Sequence, residues 1–277
     1  MNEKIYTPLH LREVFHLEFL RWFGKKIEAG CYCLKGGVNL RLFFRSIRYS
    51  EDMDLDVQGV RVEKVKKTVM EILSGRGFLD SLQSFGIERV VPPDITKAKQ
   101  TETTQRFKIH LLASGADLFT KIEFSRRGMR GTSVVEPVPA QILRSYKMAP
   151  LLVPHYDAAA AIGQKIQALA QRNILQARDI FDLFVLSSQY EESGEKDFPR
   201  PADLAAQRRG GQISKSVFKT AYDNIFMVEF PQFRDTVVAY LGAEDQKVYA
   251  LPGAWDEIKL KTAHFLEEFK NGNAKSS

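Results

Sequence analysis

Apolar residues near the N-terminus recur at spacings of three and four. Leu11, Phe15, Phe19, Trp22 and Phe23 fall on one helical face, which predicts a helix over residues 10–29 ended by Gly30. Cys31-Tyr32-Cys33-Leu34 is a short apolar run flanked by glycines and predicts a buried strand. A turn at Gly36-Gly37 leads into a second helix over residues 38–44. The period then drops to two. Asp52, Met53, Asp54, Leu55, Asp56 and Val57 alternate acidic with apolar side chains, which predicts a strand over residues 53–57. Val65, Val69 and Ile72 restore helical spacing over residues 62–74.

Strand patterns return over residues 87–91, 105–112 and 118–124. Pro92-Pro93 and the hairpin-forming Ser114-Gly115-Ala116-Asp117 separate them. Beyond Pro139 the spacing is helical throughout, over residues 140–147, 157–171, 174–190, 202–207, 215–226, 233–241 and 256–270. The polar tail, 271–277, is expected to fray. This order predicts an α+β chain: an α/β part over residues 1–139 and an all-helical part over residues 140–277.

Composition narrows the class. At 44% hydrophobic and 27% charged, the 277 residues make a folded chain, not a disordered one. No stretch reaches the about 20 apolar residues of a membrane helix. Met1-Asn2-Glu3-Lys4 opens no apolar signal core, so the expected setting is the cytoplasm, with no membrane partner. With only Cys31 and Cys33, the chain carries no disulfide framework. Forty basic against 34 acidic side chains give a net charge of +6. That charge suits polyanionic partners, and equally a basic solvated surface. Arg126, Arg127 and Arg130 crowd one segment, and Arg208 and Arg209 another.

One stretch points to chemistry. A strand ends in Gly36-Gly37 and a helix begins, where backbone N–H groups can meet phosphate. Further on, Asp52 and Asp54 stand two residues apart on a strand, so both carboxylates aim at one volume. Two carboxylates that close call for a cation between them, and hard oxygen ligands beside phosphate suit Mg²⁺. A pair of such ions would activate a hydroxyl and steady a leaving pyrophosphate.

Leu34-Lys35-Gly36-Gly37, Leu40 and Arg48-x-Ser50-Glu51-Asp52-Met53-Asp54-Leu55 resemble the signature of the AbiEii/AbiGii-type nucleotidyltransferase toxins. That group lies in the DNA polymerase β-like nucleotidyltransferase superfamily. A second signature of the group also has a match. It runs Gly163-Gln164-Lys165-Ile166-Gln167-Ala168, Arg172, then Ala177-Arg178-Asp179-Ile180-Phe181-Asp182-Leu183. The resemblance spans residues 34–186 and implies a polymerase β-like mixed sheet, with the helical part completing an active cleft.

By resemblance, Asp52 and Asp54 hold two Mg²⁺ ions, and Gly36 and Gly37 meet the triphosphate of a bound nucleoside triphosphate. A third carboxylate commonly comes from a later strand. Glu123 is the candidate, with Asp117 as an alternative; the opposing reading pairs Glu123 with Lys121 or Arg126. Asp56 is either a further ligand or solvated. Lys165 would reach the triphosphate, Asp182 would join the catalytic set, and Asp179 would orient Arg178 or Lys165. Lys35, Arg48, Ser50, Arg178 and Asp179 complete the implied nucleotide-binding set. Ser50 has no His partner for triad chemistry and is also placed to brace the Asp52 loop. His110 and His155 lack metal-ligand spacing and read as structural.

The resemblance implies an RNA acceptor, the 3′ end of a tRNA, and a toxin held in check by a cognate antitoxin. The alternatives are a protein or a small cationic molecule such as an antibiotic as acceptor, or a non-catalytic nucleotide-binding module.

Overall fold

A computed structural model describes residues 6–113, 115–193 and 213–272. The helix expected over residues 202–207, Arg208, Arg209 and residues 273–277 of the tail lie outside the described residues. The chain forms two compact units. The first takes the chain through Leu42, then Tyr49–Met129 and Ser133–His155; the second takes Phe43–Arg48, Arg130–Thr132 and the chain from Tyr156.

Helix α1 (Pro8–Gly24) opens the first unit. Thr7 caps it by accepting from the His10 N–H, and Pro8 occupies a first-turn position that needs no donor. Apolar residues surround nearly the whole helix, so it is buried on nearly every side instead of lying on a surface. It ends at Gly24, earlier than expected. A Cβ at Gly24 would come within 2.9 Å of the Tyr32 hydroxyl. Phe15, Phe19 and Phe23 line up along it, and the Phe23 ring packs on Tyr32 and Phe124 of the sheet.

That sheet contains β1 (Tyr32–Lys35), β2 (Met53–Val57), β3 (Ile87–Val91), β4 (Thr104–Ala113), β5 (Ala116–Ser125), β6 (Ser133–Pro137) and β7 (Leu152–Tyr156). Their spatial order is β3-β4-β5-β2-β1-β7-β6. Antiparallel pairs join β3, β4 and β5, and also β1 with β2, while β2–β5 and β1–β7 are parallel. The expected mixed sheet is therefore present. Alternation of burial along β4 from Gln105 and along β5 from Asp117 leaves one face on the core and the other toward water. Helices α2 (Gly36–Phe43), α3 (Val62–Leu73) and α4 (Arg76–Gln83) complete the α/β layer. The sequence pattern missed α4, because Gly75 and Gly77 mask an apolar face made only of Phe78 and Leu82.

Residues beyond Pro139 are not helical throughout. After α5 (Ala140–Ser145) comes β7, and residues 140–155 belong to the sheet-bearing unit. Pro154 disguises β7, since proline cannot donate to a ladder and argues against a strand. In the second unit, α6 (Ala158–Gln171), α7 (Ala177–Ser193), α8 (Lys215–Ile225), α9 (Phe230–Thr236), α10 (Ala243–Tyr249) and α11 (Pro252–Gly272) form the helical C-terminal region. Phe181, Phe233 and Trp255 are its largest buried side chains. Trp255 stacks on Phe233 at 4.4 Å and donates its indole N–H to the Val228 carbonyl at 3.0 Å.

Candidate active site

In the first unit the site begins where β1 becomes α2. Gly36 has φ +68°, and a Cβ there would sit 2.9 Å from Asp54 Oδ2. Only glycine makes this turn with the carboxylate so close. Gly37 follows in the first turn of α2, whose N–H groups have no partner within the helix. The ladder sets Lys35 opposite Asp54 and Asp54 opposite Glu123, so three candidate residues from three strands lie in one row. Glu123, not Asp117, stands beside Asp54; Asp117 is at the far end of β5 and takes a 2.7 Å contact from His110.

Asp52 precedes β2, in a loop held from two sides. The Ser50 hydroxyl donates to the Asp52 carbonyl at 2.7 Å, the bracing expected of it. The Thr120 hydroxyl donates to the Glu51 carbonyl at 2.7 Å and meets His16 Nε2 at 2.9 Å. Burial, helped by nearby Arg12, depresses His16 to about 3, so its ring is neutral. The Thr120 proton is committed to Glu51, and His16 therefore donates to Thr120. Sequence reasoning missed this His16–Thr120–Glu51 relay. Its one signal was a polar His16 among the apolar positions of α1.

Of Asp52, Asp54, Asp56 and Glu123, each meets a cation except Asp54. Lys121 Nζ lies 2.8 Å from Asp52, Arg106 Nη2 lies 2.7 Å from Glu123, and Lys35 Nζ lies 2.5 Å from buried Asp56. Glu123 thus pairs with Arg106, whereas Arg126 reaches the Gln105 side chain and the Val60 carbonyl. Asp54 feels Lys35 and Lys121 without contacting either. Burial foremost raises its pKa, those two lysines pull it down, and the Glu123 and Asp52 carboxylates push it up again; the net is a rise. A carboxyl disfavoured in this way gains from a cation brought beside it.

The described residues hold no preformed cluster of three or more His, Cys, Asp or Glu set for a metal ion. The donor set nevertheless fits a hard divalent cation. Asp52 and Glu123 present oxygens whose partners are partly exposed and exchangeable, and Asp54 lacks a contacting counter-ion beside the Gly36 cradle.

The second motif lies in the second unit and is built differently. Asp179 and Asp182, three apart on α7, are fully buried and share a face. Lys165 from α6 lies 3.0 Å from Asp179 and 2.5 Å from Asp182. Arg48 grips both Asp182 oxygens through Nη2, at 2.9 and 3.1 Å, and Arg172 Nε lies 3.1 Å from Asp179. Burial opposes these charges most strongly. Asp182 and Asp179 still raise Lys165 above its ordinary pKa, and Arg48 with Lys165 holds Asp182 below the usual carboxylate range. Arg178, next in sequence to Asp179, is exposed. Among the other candidates, His155 is buried with Nε2 3.4 Å from Glu136, and Cys33 is a buried thiol.

Solved structures share this fold. JHP933 from Helicobacter pylori aligns over 98% of this chain and 96% of its own, at 18% identity and a TM-score of 0.57. MenT4, a nucleotidyltransferase toxin from Mycobacterium tuberculosis, aligns over 96% of this chain and 88% of its own, at 16% identity and a TM-score of 0.58. No curated protein matches the chain. The sequence pattern of the nucleotidyl transferase AbiEii toxins of type IV toxin–antitoxin systems matches residues 19–250, which include both motifs. With the glycine turn, the aspartate strand and the lysine–aspartate helices in family order, the chain belongs to the AbiEii nucleotidyltransferase toxin family and is a nucleotidyltransferase.

Proposed function

We propose that this enzyme transfers a nucleoside monophosphate from a nucleoside triphosphate to the 3′-terminal hydroxyl of a tRNA, with Mg²⁺ held by Asp52, Asp54 and Glu123. The observation that carries this reading is the row Lys35–Asp54–Glu123 laid against Gly36. When bound, divalent cations lower the pKa of an acceptor hydroxyl and neutralise the developing pyrophosphate. Gly36 and Gly37 bring backbone N–H groups against the triphosphate, and Lys35 adds positive charge beside them. Ser50 and the His16–Thr120 relay keep the Asp52 loop from turning away from the row. The acceptor oxygen bonds to the α-phosphorus as the bond to the bridging oxygen breaks and pyrophosphate leaves.

The second motif serves the reaction by positioning. Asp182 and Asp179 act on Lys165, Arg48 and Arg172, and Arg178 is a cation of that motif exposed to solvent. The net charge of +6 suits an RNA acceptor, since phosphate contacts supply most non-specific affinity. A cognate antitoxin in the same cytoplasm completes the reading.

Incubation with labelled nucleoside triphosphates, Mg²⁺ and total tRNA tests it. Label passes to RNA with the wild-type chain and falls at least about a hundredfold in Asp54→Ala, the loss of several kcal/mol of metal stabilisation. Label found only on protein or on an aminoglycoside, or on nothing, overturns the RNA acceptor.

A further inference from the structure

Three same-face rungs of the β4–β5 ladder follow one another: His110 opposite Phe119, Lys108 opposite Lys121, and Arg106 opposite Glu123. Successive rungs on one face lie two residues apart, about 7 Å along the strand. The third rung ends in Glu123, the neighbour of Asp54 on β2. The aromatic rung is therefore about 13 Å from the carboxylates, on their side of the sheet.

The first rung is aromatic and in water. The His110 ring stacks on Phe119 with centroids 4.6 Å apart and planes 12° from parallel, and Phe119 is 58% exposed. The stack is held in place. His110 Nε2 lies 2.7 Å from Asp117 Oδ1, and Arg12 Nε donates to the Phe119 carbonyl at 2.9 Å. The middle rung sets two lysines directly opposite each other, an arrangement that destabilises a sheet. Asp52 offsets Lys121, while Lys108 is exposed and makes no ion pair among the described residues. Such a rung gains from an anion laid across it.

We propose that this ladder face is the track for the acceptor strand: an unpaired base at an RNA end stacks on His110–Phe119, and the next phosphate lies across Lys108 and Lys121. The hydroxyl end then reaches the rung of Glu123 and Asp54. This rests on the nucleotidyl-transfer reading and names how the acceptor is held. Stacking platform followed by backbone charge is the combination that binds single strands without regard to sequence. A single aromatic stack among cations fits that strand better than it fits the broad apolar core of a protein interface.

The test is fluorescence anisotropy of the full chain with a labelled RNA hairpin carrying an unpaired 3′ tail, against the same hairpin blunt-ended. Phe119→Ala weakens binding of the tailed hairpin about tenfold and leaves the blunt one nearly unchanged. Phe119→Trp restores binding, and its indole fluorescence is quenched when RNA is added. Lys108→Glu weakens both and lowers the slope of affinity against salt by about one. Both sites are exposed, and matching thermal melts exclude misfolding as the cause. Unchanged affinity in Phe119→Ala, with the wild type still labelling RNA, overturns this track while the transfer reading stands. Failure of the wild type to label RNA strikes that reading instead. Loss of antitoxin binding at unchanged RNA affinity assigns the face to a protein and also overturns the proposal.

Discussion

The two motifs place acidic side chains among cations in opposite ways. On the sheet face, Asp52 and Glu123 keep partners that are themselves about a third exposed, and Asp54 has none in contact. On α6 and α7, Asp179 and Asp182 have no exposure and are fixed by the nearly buried Lys165 and Arg48, with the exposed Arg172 closing on Asp179 from the water side. An exposed ion pair contributes little to stability and exchanges readily, whereas a buried one cannot lose a partner without stranding a charge. On the function proposed above, the first arrangement gives up its counter-ions to metal and substrate, and the second holds the fold of its own helices. Identical residue types thus sit in different surroundings, because water reaches the acids of one set and not those of the other.

The sharpest break of this contrast is Asp182→Ala. It strands Arg48 and leaves Lys165 with Asp179 alone, and chemical denaturation should show a loss of about 3–5 kcal/mol. Replacing all three by apolar residues of similar volume should recover most of it; a single variant as stable as wild type contradicts the scaffold role. Next comes pH. The unfolded chain protonates His16 near 6.5 and the native chain only near 3, so stability is full above that window and falls as pH drops through it. Urea midpoints should fall with a slope approaching about 1.4 kcal/mol per pH unit, and His16→Gln should flatten that slope.

Gly36→Ala tests the turn itself. Its positive φ and the 2.9 Å approach to Asp54 should cost about 1–3 kcal/mol in thermal stability, with transfer falling further than stability accounts for. The smallest stability effect belongs to Asp52→Asn. Loss of an exposed pair should change unfolding by less than about 1 kcal/mol while abolishing transfer, and a large destabilisation there would put Asp52 in the scaffold class.

Much of the fold was legible because its signals are local. Alternation over residues 53–57 marked β2 and the strand pattern over residues 87–91 marked β3, both to the residue, and Ser114–Asp117 marked the β4–β5 hairpin. What escaped notice was local signal in conflict with tertiary placement. Pro154 sits inside β7, and Gly75 and Gly77 flank the start of α4. In both, packing against neighbours outweighs a residue that weakens the element by itself.

Residue order alone determined the glycine turn, the placing of Asp54 on β2, and the helical spacing that puts Asp179 and Asp182 on one face, whereas Asp52, expected on the strand, lies in the loop before it. It could not decide which cation each acid meets. Glu123 takes Arg106 because antiparallel register sets those two opposite each other, and Asp54 goes without because Lys35 leans to Asp56 and Lys121 to Asp52. Such partners come from strands and helices far apart in the chain, so register and burial, not spacing, select them.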